Sequence, residues 1–346
     1  MSTTFAERHW YRLTTVSALL FPFSLLFRLL VWARRMLFKH RVIASTAMPV
    51  PVIVVGNIIV GGTGKTPLVL WMVRALQELG YRPGVIASGY GGSDRDSAEV
   101  GSTDDPRIRG DEAVLLAQRS GAPVWSGQSR VRSAEGLLRV HPECNVLICD
   151  DGLQHYRLRR DIEISVEDER GVGNGRLLPA GPLREPENRV VDARVVNSGN
   201  VVAPGKFRMS LAPAGFYRLG ESAGPFEVAH FQGKRVHAIA GIGVPERFFQ
   251  TLRSLGIEAT THVFPDHHDF KESDLDFQDC DVVMMTEKDA VKCLRFLDSV
   301  YKNNRVDGAG DDPDSIPKLY VLRVEADLDG GFLQFLEKRL NGLKTS

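Results

Sequence analysis

The stretch Gly56-Asn57-Ile58-Ile59-Val60-Gly61-Gly62-Thr63-Gly64-Lys65-Thr66-Pro67 limits the fold of this chain more than any other. It follows an apolar run, Val52-Ile53-Val54-Val55, and precedes an apolar-periodic segment over 65–79. That order predicts a strand, a glycine-rich turn and a helix in succession. Glycines let consecutive backbone N–H groups turn inward on a polyphosphate, and the helix N-terminus adds its own dipole. Gly61, Gly62, Thr63, Gly64, Lys65 and Thr66 are therefore the candidate ATP-binding residues. Lys65 would neutralise the β- and γ-oxygens, and the Thr66 hydroxyl would ligate Mg²⁺. The pattern G-x-x-x-x-G-K-[ST] fails at its first position, Ile59, so the loop is a variant form.

The remaining pattern extends this unit. Residues 85–87 and 146–149 read as further short buried strands, and Asp111 opens a helix with an acid in its first turn. Strands alternating with helices predict an α/β fold, a P-loop NTPase-like parallel sheet domain over 46–203. From about Pro204 the alternation restarts, with strands at 236–240, 260–264, 282–285 and 319–324 and a helix at 332–340. This predicts a second, smaller α/β domain over 204–346. Residues 303–315 are polar and rich in Gly and Asp, as in a surface insertion.

Val146-Leu147-Ile148-Cys149-Asp150-Asp151 supplies the second half of a phosphoryl-transfer site: an apolar strand ending in carboxylates. Asp150 is the candidate metal ligand beside the loop. A kinase also needs a group to receive the proton of its acceptor alcohol, and Asp111, His267 and His268 are the candidates. Asp111 and the histidines lie in different predicted units, so the pair requires the units to meet. Thr286-Glu287-Lys288-Asp289 has its Lys one place too late for a guanine-reading motif. The rival class is a P-loop ATPase that couples hydrolysis to a partner protein.

Composition locates the chain. Lys+Arg and Asp+Glu both number 43, so no bulk basic excess argues for nucleic acid. Residues 1–41, however, carry six Arg and one Lys against the single acid Glu7, a net of +6. Residues 16–38 are the most apolar stretch, interrupted by Pro22 and Arg28 and closed by Arg34, Arg35 and Lys39. A spanning helix needs about 20 largely uncharged residues. Residues 1–45 instead read as an amphipathic, membrane-associated helix lying at the interface. A helix packed on its own domain is the alternative. The four cysteines form no C-x-x-C pair, predicting neither a disulfide framework nor a structural metal.

Seven segments resemble, in order, the motif series of the tetraacyldisaccharide 4′-kinase family: GNIIVGGTGKTP (56–67), GYGG (89–92), GDEAVLLA (110–117), DDGLQH (150–155), GNGRLLPAGPLREP (173–186), FPDHHDF (264–270) and TEKDAVK (286–292). The resemblance implies transfer of the ATP γ-phosphoryl group to the 4′-hydroxyl of a tetraacyl glucosamine disaccharide 1-phosphate, giving lipid IVA. It also implies a peripheral or monotopic position at the cytoplasmic face of the bacterial inner membrane. Carried onto this chain, it makes Asp111 the catalytic aspartate, supported by one of His268 and His267, with His268 slightly preferred. Asp151 is the alternative base, and Glu185 is a further acid near the metal. One departure stands out: Ser88 occupies a position where the family usually has Arg, so Arg130 or Arg132 would have to cover that charge.

Overall fold

Two helices open the described chain, α1 (Thr15–Leu19) and α2 (Phe21–Lys39). The computed structural model describes residues 9–198, 203–221, 224–277, 279–297 and 318–344; the insertion expected at 303–315 lies outside them. Thr14 caps α1, its hydroxyl accepting from the Ser17 N–H at 3.2 Å. Pro22 falls in the first turn of α2, where no intrahelical donor is lost. It therefore starts the helix instead of interrupting it.

The body begins with β1 (Val52–Gly56), α3 (Lys65–Glu78), β2 (Pro83–Ala87), β3 (Ala98–Glu99), α4 (Pro106–Arg109) and α5 (Asp111–Arg119). Next come β4 (Val124–Ser126), α6 (Arg130–Val140), β5 (Val146–Asp150), β6 (Ile162–Asp168), β7 (Ala193–Asn197) and β8 (Phe207–Arg218). The second half contains β9 (Val236–Ala240), α7 (Pro245–Ser254), β10 (Ala259–Val263), β11 (Val282–Thr286), α8 (Glu287–Cys293), β12 (Lys318–Leu328) and α9 (Gly330–Lys344).

All twelve strands form one sheet, in the order β10-β9-β11-β12-β8-β7-β6-β1-β5-β2-β4-β3. Pairing is parallel except at β3–β4 and at β8–β12. The β8–β12 pair joins the two halves and carries a register shift between Leu322 and Val324. In a flat sheet this antiparallel junction would send the two C-terminal strand edges to opposite sides. Yet Gly243, just past β9, lies so close to the loop after β1 that a Cβ there would sit 3.1 Å from the Gly62 nitrogen. Sheet twist accumulated through the long β8–β12 ribbon brings the edges together.

Alternate residues of β1 feed opposite core layers. Ile53 and Val55 join the layer under α3 and α5, and Val52 and Val54 join the layer that Phe27 of α2 touches. Phe332, Leu336 and Leu340 of α9 insert into the first of these layers, so the last helix packs on the first half. The four cysteines are free and buried. Among the described residues no helix is long and apolar enough to cross a membrane.

The arm has two faces. One stripe packs on the body: Ser24 is buried and donates to the Leu177 carbonyl at 2.7 Å, and Arg34 donates to the Gln154 carbonyl at 3.0 Å. The other stripe leaves Phe23, Leu26, Leu30 and Trp32 more than half exposed, with Leu19 of α1 at 71%. α2 thus packs on the body along one side, as the alternative expected, and leaves an apolar stripe exposed along the other.

Candidate active site

The loop between β1 and α3 owes its shape to its glycines and to three side chains behind it. Gly64 has φ +93°, and a Cβ there would meet the Asn197 amide at 2.6 Å, so only glycine fits. The Asn57 amide donates to the Gly61 carbonyl at 2.9 Å, Arg170 to that of Gly62 at 2.7 Å, and Asn197 to that of Thr63 at 3.2 Å. Carbonyls tied back in this way turn the intervening N–H groups toward the open side, as a polyphosphate requires. Asn57, Arg170 and Asn197 escaped the sequence reading; two of them belong to β6–β7, a region it left without strands.

At the end of β5 the two acids have different surroundings. Lys65 Nζ lies 3.4 Å from Asp151 Oδ1, and Arg184 lies 3.3 Å from Oδ2. Burial pushes the Asp151 carboxyl up, but Lys65 and Arg184 outweigh it and hold it below the usual carboxylate value. Asp150 is buried and accepts the Asp151 N–H at 2.9 Å. Burial, then the charge of Glu112, and further the charge of Asp151 outweigh Lys65 and push Asp150 up to about 7.

Asp111 begins α5, where the helix N-terminus favours its negative charge. Gly110, with φ +91°, makes the sharp entry; a Cβ there would lie 2.7 Å from the Tyr90 carbonyl oxygen. Asp111 Oδ2 is 3.0 Å from His267 Nδ1, and Lys288 Nζ lies 3.3 Å from His267 Nε2 and 3.2 Å from Glu112. The Tyr90 ring edges His267 at 5.0 Å. Burial raises the Asp111 carboxyl, but the His267 hydrogen bond and the Lys288 charge bring it below its ordinary value. The bond to Asp111 in turn raises His267 above its own. Lys288 is held above the usual lysine range, because Glu112, Asp111 and Asp266 outweigh its burial.

Of the two adjacent histidines the structure therefore brings His267, not His268, to Asp111. His268 turns the other way, its Nε2 2.9 Å from Asp274, with Phe264 and Phe270 against its ring. Lys288 stands one place too late in its tetrapeptide for a base reader; its place on His267 and Glu112 follows from β10 and β11 flanking β9, so that the segments after both strands meet at one sheet edge.

Glu185 is engaged by Arg189 and by the Tyr156 hydroxyl, which donates at 2.8 Å, instead of by Lys65 or Thr66. Ser88 accepts the Tyr90 N–H at 3.1 Å, a local turn contact. Arg130 is buried, donates to the Gly127 carbonyl at 2.8 Å, and its charge is felt at both Asp150 and Asp151. Arg132 is exposed. The base facing the acid pair is thus Arg130.

A loop of this construction, seated at the C-terminal edge of the central strand of a mostly parallel sheet, places the protein in the phosphate-loop α/β class. The motif order and the match to known sequences go further. The chain belongs to the tetraacyldisaccharide-1-phosphate 4′-kinase family, whose model matches residues 16–341. It is 49% identical to a tetraacyldisaccharide 4′-kinase from Methylobacillus flagellatus, over 84% of this chain and 87% of that one. It is 44% identical to a tetraacyldisaccharide 4′-kinase from Dechloromonas aromatica, over 99% of both. Among solved structures it resembles an apo-form LpxK from Aquifex aeolicus in complex with ATP, with a TM-score of 0.75 and 26% identity, covering 94% of this chain and 100% of that one.

Proposed function

We propose that this protein transfers the γ-phosphoryl group of ATP to the 4′-hydroxyl of tetraacyldisaccharide 1-phosphate, giving lipid IVA, at the cytoplasmic face of the bacterial inner membrane. Family membership supports the reaction, and the solved relative that holds ATP supports the nucleotide. The observation that carries the reading is the Asp111–His267 pair, linked through Lys288 to Glu112, whose charge acts on Asp150 beside the loop. Hydrolysis coupled to a partner protein gives no use to a pair of a buried carboxylate and a half-buried imidazole contributed by both halves of the chain. Residues 46–203 are then the nucleotide-binding unit, and 204–346 the unit that brings the imidazole to it.

In this mechanism the inward N–H groups of Gly61 to Gly64 hold the polyphosphate, and Lys65 exchanges Asp151 for phosphate oxygens. Asp111 accepts the hydroxyl proton, with His267 orienting it and sharing the charge, so the proton belongs to the pair. Lys288 fixes the second imidazole nitrogen and holds Glu112 away from the acceptor. His268 keeps a positioning role on Asp274, and Arg130 balances the acid pair in place of an arginine at position 88.

A divalent cation fits the donor set. Asp150 is a buried carboxylate pushed up to about 7 by burial, Glu112 and Asp151, an arrangement that a nearby cation relieves. No cluster of three or more His, Cys, Asp or Glu among the described residues forms a ready metal cage. Mg²⁺ in phosphoryl-transfer sites uses one or two carboxylates and completes its shell with substrate phosphate and water. Thr66 and Asp150 would hold it here, with Glu185 as a more distant acid, and when bound it would neutralise charge developing on the transferred group.

The test is to incubate the protein with γ-labelled ATP and the disaccharide lipid. Label in the lipid is expected; label found only as free phosphate would move the protein to the ATPase class.

The exposed stripe of the arm supplies the membrane contact. Leu26→Glu with Leu30→Glu leaves the packed Ser24 side intact but puts two charges where apolar surface would enter the acyl boundary. Binding to vesicles is expected to fall about tenfold or more, and the KM for lipid to rise while that for ATP holds. Unchanged vesicle binding in a sedimentation assay would return α2 to a purely packed helix.

A further inference from the structure

Where the foot of α2 meets the turn before β6, a cavity of about 390 Å³ opens to solvent, within the range of ligand pockets. Its walls carry five basic side chains, Arg35, Lys39, Arg159, Arg160 and Arg189, against one carboxylate, Glu163. Glu163 is already shared, accepting from Arg160 at 3.0 Å and from Arg189 at 2.8 Å. Arg35, Lys39 and Arg159 have no side-chain hydrogen bond or ion pair among the described residues. Arginines elsewhere on the surface do find acids, as Arg107 finds Asp105 and Arg235 finds Asp281.

The floor is Tyr156. Phe38 stacks on its ring at 5.5 Å, and Arg34, Arg160 and Arg189 lie 5.5, 5.1 and 5.4 Å from its centroid. Its hydroxyl donates to Glu185, so no anion is offered to the cavity from below. A concave site with surplus positive charge and no carboxylate to spare is complementary to an anion.

What the anion is attached to follows from the helix above it. The exposed residues Leu25, Leu29 and Trp32 stand at i, i+4 and i+7 on the flank of α2 that continues into Met36 and Lys39 of the cavity wall. At 1.5 Å per residue, the span from Leu25 to Lys39 is about 20 Å, the scale of one acyl chain. A ligand that satisfies both features has a charged phosphate at one end and hydrocarbon at the other.

We propose that this cavity binds the phosphate of an anionic membrane phospholipid, whose chains lie along the exposed face of α2. The site would set the depth and rotation of the arm on the bilayer and so aim the cleft at its lipid acceptor. The proposal rests on the reading that α2 contacts a membrane, which the Leu26 and Leu30 variants test separately.

The experiment compares the full-length protein on phosphatidylcholine vesicles with the same vesicles carrying phosphatidylglycerol. The triple variant Arg35→Gln, Lys39→Gln, Arg159→Gln is expected to bind the anionic vesicles about 100-fold more weakly, about fivefold for each cation near the surface. Its binding to neutral vesicles should not change. A charge-matched control, Arg12→Gln, Arg41→Gln, Arg157→Gln, removes three exposed cations that do not line the cavity. It is expected to retain most of the affinity. Soluble dihexanoyl-phosphatidylglycerol below its micelle concentration should saturate the wild type at one per chain and fail to bind the cavity variant. Equal losses in both triple variants would mean diffuse attraction and no site. A cavity variant whose vesicle binding is intact, but whose KM for disaccharide lipid in neutral detergent micelles rises, would assign the cavity to the substrate's own phosphate. Either result overturns the proposal, and neither depends on the identity of the phosphoryl acceptor.

Discussion

Asp111→Ala is expected to lower kcat about 100-fold or more, the range of a lost general base, while ATP affinity changes little. In the proposed mechanism the nucleotide would be held by the Gly61–Thr66 loop, which is braced by Asn57, Arg170 and Asn197 and not by Asp111. His267→Ala should lose less, because the carboxylate remains, and His268→Ala should act mainly on stability through Asp274 and the phenylalanines around it. Near-normal turnover in the Asp111 variant would pass the role of base to Asp151.

The pH profile supplies an independent sign. Activity should rise with pH as the pair becomes able to accept a proton, with an apparent pKa above the ordinary imidazole value near 6.5, since Asp111 raises His267. Asp111→Asn removes that charge but leaves Lys288, which lowers the imidazole, so the residual limb should move to lower pH. The same pair contributes to stability within limits. Asp111 lies below its unfolded value, so its contribution is present above about 3.9 and lost as pH falls through its folded value. His267 lies above its unfolded value, so its share is complete below about 6.5 and lost as pH rises through its folded value. Both shares are therefore complete together between about 3.9 and about 6.5.

Asp150→Asn and Thr66→Ala are the second pair of large effects. Each would remove an oxygen ligand from the cation proposed to stabilise charge on the transferred group, and loss of one such stabiliser costs about 3 kcal/mol, or roughly 100-fold in turnover. The Mg²⁺ concentration for half-maximal rate should rise in both. Asp150→Asn also removes a buried carboxylate pushed up to about 7, so the folded protein should not lose stability at neutral pH as it would on losing a paired acid. Normal turnover of Asp150→Asn at saturating Mg²⁺, measured with labelled ATP, would take this residue out of the metal shell.

Much of the nucleotide side was legible from residues alone because its determinants are local. Glycine at 64 answers a positive φ, the apolar run before it makes a buried strand, and Asp150 and Asp151 follow a strand that can only end at the same sheet edge. Asp111 was legible for the same reason, as an acid at a helix start. The strands β6, β7 and β8 were not. β6 and β7 interleave their apolar residues with the charged Glu163, Glu167 and Arg194 and end in the buried polar residues Asp168 and Asn197, so neither shows an apolar run, and β8 contains Pro213 and Gly215, which read as breakers. Pro213 is accommodated where the β8–β12 register shifts, opposite Val324.

Residue order alone established the class of chemistry: the loop, the acid pair, the basic apolar arm and the motif order of the family. Tertiary structure alone decided which groups meet. His267 and His268 are neighbours of the same type, and only the positive φ of +60° at His267, in a turn closed by the His268 N–H on the Pro265 carbonyl, sends the first to Asp111 and the second to Asp274. That meeting also needs the antiparallel β8–β12 junction and its twist, a pairing between segments about a hundred residues apart. Local propensity cannot encode such a contact, because its free energy comes from surfaces that exist only once both halves share one sheet.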